Sequence, residues 1–130
     1  LKASTPCYKF IYATPEQQLE KIREKVEEAA QAWALYSKDK TGENLQQLLV
    51  ELLDVKACVN TAMAQIHKDN DLENDKRYAL NQAESHKQHI DGKRKFVRLV
   101  DFRWHKFRAK ERVVDKNLRR GYYNMPVKEK

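Results

Sequence analysis

A chain of 130 residues with a net charge of +7 is long enough for one domain with a modest core. Only three Gly and three Pro are too few for the turns of a β-rich fold, whereas 35% charged and 41% hydrophobic residues are typical of amphipathic helices. No apolar stretch approaches the roughly 20 residues that span a bilayer, so we expect no membrane association.

The N-terminal third predicts an arm followed by a long helix. Residues 1–14 lack helical periodicity and are predicted to form an extended N-terminal arm. A helix, called helix A, is predicted over residues 15–37. Its start is marked by residues suited to an N-cap, a first-turn proline and a capping box, namely Thr14, Pro15 and Gln17. Its apolar arc is expected to centre near Ile22, Val26 and Ala30.

After a turn at 38–42, helix B is predicted from Glu43. It is apolar nearly all round, which indicates burial in the domain or at a subunit interface. A polar break is expected at 67–75. Two more helices are predicted over 75–90 and 93–114, separated by Asp91 and Gly92. The expected fold is all-α: a bundle of about four helices in a domain over 15–115, a C-terminal loop over 116–130, and assembly into oligomers.

Two acids of helix B, Glu51 and Asp54, lie three residues apart in its most apolar stretch, and so on one face. A carboxylate in apolar surroundings is costly unless a cation compensates it. On helix A, Glu27 is expected to border the apolar arc, and Glu24 precedes it by one turn. Four carboxylates converging between two helices would suit Mg²⁺ or Mn²⁺, which prefer oxygen ligands. The alternative is a solvated acidic face on helix A, paired with Lys21, Arg23 and Lys25.

The stretch ENLQQLLVELLDVKACVNTAMAQI, with its ExxD at 51–54, resembles the second helix of the MazG-like nucleotide pyrophosphohydrolases, particularly the short phage-encoded members. KNLRRGYY at 116–123 is similar to a closing element of the phage members. The family's first-helix motif, EExxE, is altered. In the register that begins at Glu27 the last acid is Gln31, and in the register that begins at Glu24 the second acid is Lys25. A third register, ending at Glu27, keeps an ExxE pair.

The resemblance implies hydrolysis of a nucleoside triphosphate to the monophosphate and pyrophosphate, with Mg²⁺ or Mn²⁺ as cofactor. It implies catalytic roles for Glu27, which would orient the attacking water, and for Glu51. The implied metal ligands are Glu24, Glu27, Glu51 and Asp54, with Glu28 and Gln31 in reserve. The expected substrate contacts are Lys38, Lys56, Asn117, Arg120 and Tyr122. The resemblance also implies a homo-oligomer, either a dimer or a tetramer.

Charge and cysteines add a second hypothesis. Residues 1–60 hold 8 Lys and Arg against 9 Asp and Glu, whereas 61–130 hold 18 against 10. The stretch 93–112 mixes basic residues with Phe and Trp, which suits nucleic acid, although packing its aromatics inward is the more ordinary interpretation. The alternative function is therefore a non-catalytic basic module that binds nucleic acid or a partner protein on a degenerate MazG-like scaffold. Two unpatterned cysteines, Cys7 and Cys58, indicate a reducing, cytoplasmic setting.

Overall fold

A computed structural model describes residues 1–127, and all regular secondary structure within that range is helical. A 3₁₀ helix, Tyr8–Phe10, precedes three α-helices: α1 (Pro15–Lys38), α2 (Gly42–Ser85) and α3 (Phe102–Arg119). The all-α fold class is confirmed, whereas the described residues form three α-helices in place of about four. The chain divides into two compact units, Leu1–Glu73 (unit 1) and Asn74–Lys130 (unit 2), with the boundary inside α2 and inside the predicted domain 15–115. No helix in the described range is long and apolar enough to cross a membrane.

The predicted start of α1 is confirmed in detail. The Thr14 hydroxyl accepts a hydrogen bond from the Gln17 N–H at 3.2 Å, and the Gln17 Oε1 accepts one from the Thr14 N–H at 2.9 Å. This reciprocal capping box satisfies two main-chain donors that an uncapped helix would leave unpaired.

The predicted break at 67–75 is wrong, because α2 continues through it to Ser85. The stretch contains neither Gly nor Pro, so nothing in its backbone chemistry ends a helix. The Nε2 atom of His67 lies 3.7 Å from the carboxylate of Asp71, one turn later on the helix. The polar stretch is therefore a part of α2 that lacks an apolar face, and the helix does not end there.

The predicted helices over 75–90 and 93–114 are also corrected. The chain leaves the helix after Ser85, and regular structure resumes only at α3, where the Asp101 carboxylate accepts hydrogen bonds from the N–H groups of Arg103 (3.0 Å) and Trp104 (3.2 Å). Between them, residues 94–100 lack helical structure; we call them the clamped segment. α3 extends into the predicted C-terminal loop as far as Arg119, while residues 128–130 of that loop lie outside the described residues.

In unit 1, α1 and α2 pack antiparallel. The Gln18 amide donates to the Cys58 carbonyl at 2.9 Å, and Lys25 reaches Asp54 nearer the turn that joins the helices. The predicted arc of α1 is rotated: Gln18 and Ala29 are buried, whereas Val26 is 50% exposed. The N-terminal arm is partly helical instead of extended, and α2 holds its main chain through Asn60, Thr61 and Gln65.

Candidate metal site

The Lys25 ammonium links the acidic residues of the two helices in unit 1. It lies 3.3 Å from the Glu28 carboxylate on α1 and 4.0 Å from the Asp54 carboxylate on α2. The hydrogen bond with Glu28 raises the pKa of Lys25 above its ordinary value, because it favours the charged ammonium. The hairpin therefore brings one acid from each helix within reach of a single cation.

Glu51 contributes a carboxylate with one unsatisfied oxygen. Its Oε1 accepts a hydrogen bond from the Gln47 amide, one turn earlier on α2, at 2.8 Å. Its Oε2 is shielded from solvent and accepts no hydrogen bond from any described residue. Since a buried carboxylate oxygen without a donor is costly, this atom is where a bound cation would find a ligand.

Glu24 and Glu27 lie away from α2. At about 100° per residue, Glu27 lies about 180° from the midpoint between Lys25 and Ala29, which face α2, whereas Glu28 lies about 80° from it. Glu24 and Glu27 are both exposed, and Glu24 lines a shallow surface depression with Glu16 and Glu20. The structure thus brings Glu28 and Asp54 together and leaves the two acids favoured on helix A at the surface; their role as ligands stays a prediction.

The donor set can be tested against the chemistry of a divalent ion. Glu28, Glu51 and Asp54 supply the hard oxygen ligands that Mg²⁺ and Mn²⁺ prefer. In the described part of the chain, however, no three His, Cys, Asp or Glu side chains stand close enough to hold a metal ion. The ammonium of Lys25 lies between two of the three carboxylates. A metal at these carboxylates would require that ammonium to move aside and the carboxylates to close on the ion.

The expected substrate contacts are divided between the two units. Lys38 in the last turn of α1 and Lys56 on α2 belong to unit 1, and both are exposed. In unit 2, KNLRRGYY forms the end of α3. Gly121 has a φ of +68°, and the N–H groups of Gly121 and Tyr122 donate to the carbonyls of Leu118 and Asn117 in a Schellman motif.

The side chains of this helix end are also paired locally. The Arg120 guanidinium lies 5.7 Å from the centre of the Tyr122 ring, and the Asn117 amide lies 3.3 Å from the Tyr123 hydroxyl. The segment that carries the second part of the family resemblance therefore has a clear structural role, the termination of α3. Its role in substrate binding stays a prediction.

Lys25 was expected only as a partner for the acids of helix A, which its pair with Glu28 agrees with; its contact with α2 was not foreseen. Its position as the second residue of one EExxE register was visible, but only the packing of α1 shows that this side chain faces α2. Compared with known protein families, curated proteins and solved structures, the chain matches none of them. The likeness to the MazG-like proteins accordingly rests on the residues that carry it.

Proposed function

We propose that the chain is a metal-dependent nucleoside triphosphate pyrophosphohydrolase that uses Mg²⁺ or Mn²⁺. The observation that supports it most is the buried Oε2 of Glu51, which accepts no hydrogen bond from any described residue. Glu51 lies on the same helix face as Asp54, and Asp54 and Glu28 both contact the Lys25 ammonium. The ligand set we favour is Glu28, Glu51 and Asp54. Glu24 and Glu27 are retained as alternatives because an assembled oligomer could cover them.

The residues of the chain have distinct roles in this proposal. A divalent ion held by the three carboxylates would neutralise phosphate charge and polarise the attacked phosphorus. When Lys25 leaves Glu28 and Asp54, its flexible side chain can turn the ammonium toward the phosphates of the substrate. A carboxylate left free of the ion, Glu27 in the prediction above, would orient the attacking water.

We also propose that the protein is a homo-oligomer, a dimer or a tetramer. Leu19, Val26 and Trp33 recur every seven residues on α1, and each is at least half exposed in the single chain. On α2, a further apolar series follows spacings of three and four, which is the pattern of helices that pack against other helices. Its exposed members are Leu45, Leu49, Leu52, Met63 and Ile66.

The second candidate function is a non-catalytic binding module on the same scaffold. It is favoured by one observation: Lys25 already compensates Glu28 and Asp54, so two of the three carboxylates do not require a metal. With the Lys25 ammonium in place of a metal ion, the pair of helices α1 and α2 would stay folded. It would have no activity on phosphate anhydrides.

The deciding experiment measures pyrophosphate release from each dNTP and NTP with Mg²⁺ or Mn²⁺. If the proposal is right, Glu51→Gln and Glu28→Gln lose about 100-fold or more in rate, since loss of a ligand removes transition-state charge stabilisation. Glu43→Gln, an exposed acid in the first turn of α2, serves as the control. The rates of Glu24→Gln and Glu27→Gln, compared with that of Glu28→Gln, decide which acids of helix A bind the metal. Wild-type protein without activity on any nucleotide would favour the non-catalytic module.

A further inference from the structure

The positive charge of the chain is concentrated in unit 2. Residues 74–130 hold 17 Lys and Arg against 7 Asp and Glu, a net charge of +10, whereas residues 1–73 hold 9 against 12, a net charge of −3. Such a concentration attracts a polyanion to unit 2 in particular. It is independent of the acidic residues on which the proposed hydrolase depends.

Polar side chains of α2 bind the main chain of the clamped segment. Asn81 bonds both the N–H and the C=O of Val97, and Asn74 bonds both groups of Val100. The Glu84 carboxylate accepts a hydrogen bond from the Lys95 N–H, and Arg77 donates to the carbonyl of Arg98. These contacts hold the backbone, and the Arg94 guanidinium adds a side-chain contact by donating to the carbonyls of Glu84 and Ser85. The side chains of Lys95, Phe96 and Arg98 remain exposed.

The spacing of these contacts fits an extended segment. The two asparagines are seven residues apart on α2, about 10.5 Å, and they hold residues three apart on the segment. An extended chain advances about 9–10 Å in three residues, so the two anchor points match. The main chain of Val97 and Val100 is bonded to α2, whereas the side chains of Lys95, Phe96, Arg98 and Leu99 are exposed.

The exposed side chains of the segment include one ring and two cations. Phe96 is 55% exposed, and Lys95 and Arg98 are exposed as well. α3 continues the pattern, with Trp104 54% and Phe107 60% exposed among basic residues. The exposed basic residues of this helix are Arg103, Lys106, Arg108, Lys110, Arg112, Lys116 and Arg119. Cations interspersed with exposed rings suit a chain of phosphates whose bases are unpaired and free to stack.

We infer that the clamped segment and α3 form a binding surface for single-stranded nucleic acid. Lys and Arg would contact the phosphates, and Phe96, Trp104 and Phe107 would stack on the bases. Recognition of this kind is tolerant of sequence, because every base offers a face to stack on. A duplex keeps its bases stacked on each other and offers the rings nothing, so it binds through charge alone.

Fluorescence anisotropy with a labelled 20-nucleotide oligo-dT and a mixed-sequence 20-base-pair duplex tests this inference. We expect tighter binding to the single strand, and a log–log salt slope of about −0.7 for each phosphate contact. Trp104→Ala combined with Phe107→Ala should weaken oligo-dT binding at least about tenfold and leave duplex binding almost unchanged. Arg98→Gln combined with Lys106→Gln should weaken both and flatten the salt slope.

Two controls keep the test specific. Lys40→Gln combined with Lys68→Gln removes the same charge from exposed positions of unit 1 and should leave binding unchanged. Glu51→Gln, which disables the proposed hydrolase, should leave it unchanged as well. The inference is overturned if the duplex binds as tightly as oligo-dT, or if the ring variant binds oligo-dT normally. A ring variant that loses oligomer mass by light scattering while keeping its affinity would show that the rings pack between protein copies instead.

Discussion

Asn81 holds Val97 by both polar groups of its main chain, through two hydrogen bonds of 2.8 Å each. Because each such bond contributes about 0.5–1.5 kcal/mol, Asn81→Ala should lower the free energy of unfolding by about 1–3 kcal/mol. It should also speed hydrogen exchange at the Val97 amide. Urea unfolding and amide exchange measure the two effects. Gln82→Ala, at the next and exposed position of α2, is the control and should change neither; protection of Val97 that survives in the Asn81 variant would contradict the clamp.

Local signals in the sequence were sufficient for some elements and not for others. The start of α1 was predictable because Thr14, Pro15 and Gln17 form their cap among themselves. The clamped segment was not, since its apolar and basic spacing suits a helix, and hydrogen bonds from Asn74 and Asn81, more than fifteen residues away in the chain, hold it in another conformation. From the local sequence, the two asparagines could be predicted only to be polar residues of a helix.

The candidate site shows the same limit. Glu51 and Asp54 were recognisable because acids in an apolar stretch conflict with the local pattern. On α1, Gln18, Lys25 and Ala29 face α2, whereas Val26 remains half exposed. Because the buried face of α1 is displaced in this way, Glu28 and not Glu27 lies beside α2. The apolar spacing could not predict which face is buried, because α1 has a second apolar stripe that faces solvent in the single chain.

The Glu84 carboxylate makes the clamp sensitive to acid. The hydrogen bond from the Lys95 N–H lowers its pKa below the ordinary value of 4.5, and the neighbouring side chains of His89 and Lys87 act in the same direction. A carboxylate with a lowered pKa stabilises the fold fully above the unfolded pKa, and this contribution is lost as the pH falls through the lower, folded pKa. The protection factor of the Lys95 amide, which is the ratio of its intrinsic to its observed exchange rate at the same pH, should therefore fall as the pH drops below about 4.5. Glu84→Gln should abolish this pH-dependent fall, and the same fall in the variant would assign it to another group.

Gly121 ends α3 with a φ of +68°, a conformation that costs other L residues about 1–2 kcal/mol. A Cβ at this position would also lie 3.3 Å from the Asn124 side chain. We expect Gly121→Ala to destabilise unit 2 by about 1 kcal/mol, measured by thermal unfolding followed by circular dichroism. Gly42→Ala is the matched control, because Gly42 has no positive φ and open space around it, and it should be neutral or slightly stabilising. Equal effects of the two substitutions would argue against the cap.

Lys25 lies beside Glu28 and Asp54, so in the proposed metal site its ammonium would compete with the divalent ion. Lys25→Met keeps much of the side chain and removes the charge, and two unit charges about 4 Å apart interact by about 1 kcal/mol even in water. Mn²⁺ affinity, measured by electron paramagnetic resonance, should therefore rise about fivefold or more. Lys21→Met, which removes an ammonium that lies over the Phe10 ring, should have little effect. Mn²⁺ binding that is absent from both the wild type and the Lys25 variant would rule out a metal at these carboxylates.

The exposed stripe of α1 predicts how assembly can be disrupted. Val26 is 50% exposed in the single chain, so a lysine there does not disturb the packing of α1 on α2. In an oligomer the same lysine would place a charge among Leu19 and Trp33 of the stripe, where its desolvation is costly. Light scattering on a sizing column should show a dimer or tetramer for the wild type and a smaller species for Val26→Lys. Gln31→Lys adds the same side chain at an exposed position outside the stripe and should keep the wild-type mass. A monomeric wild type, or an oligomer that tolerates lysine at position 26, would show that this stripe is not where the copies meet.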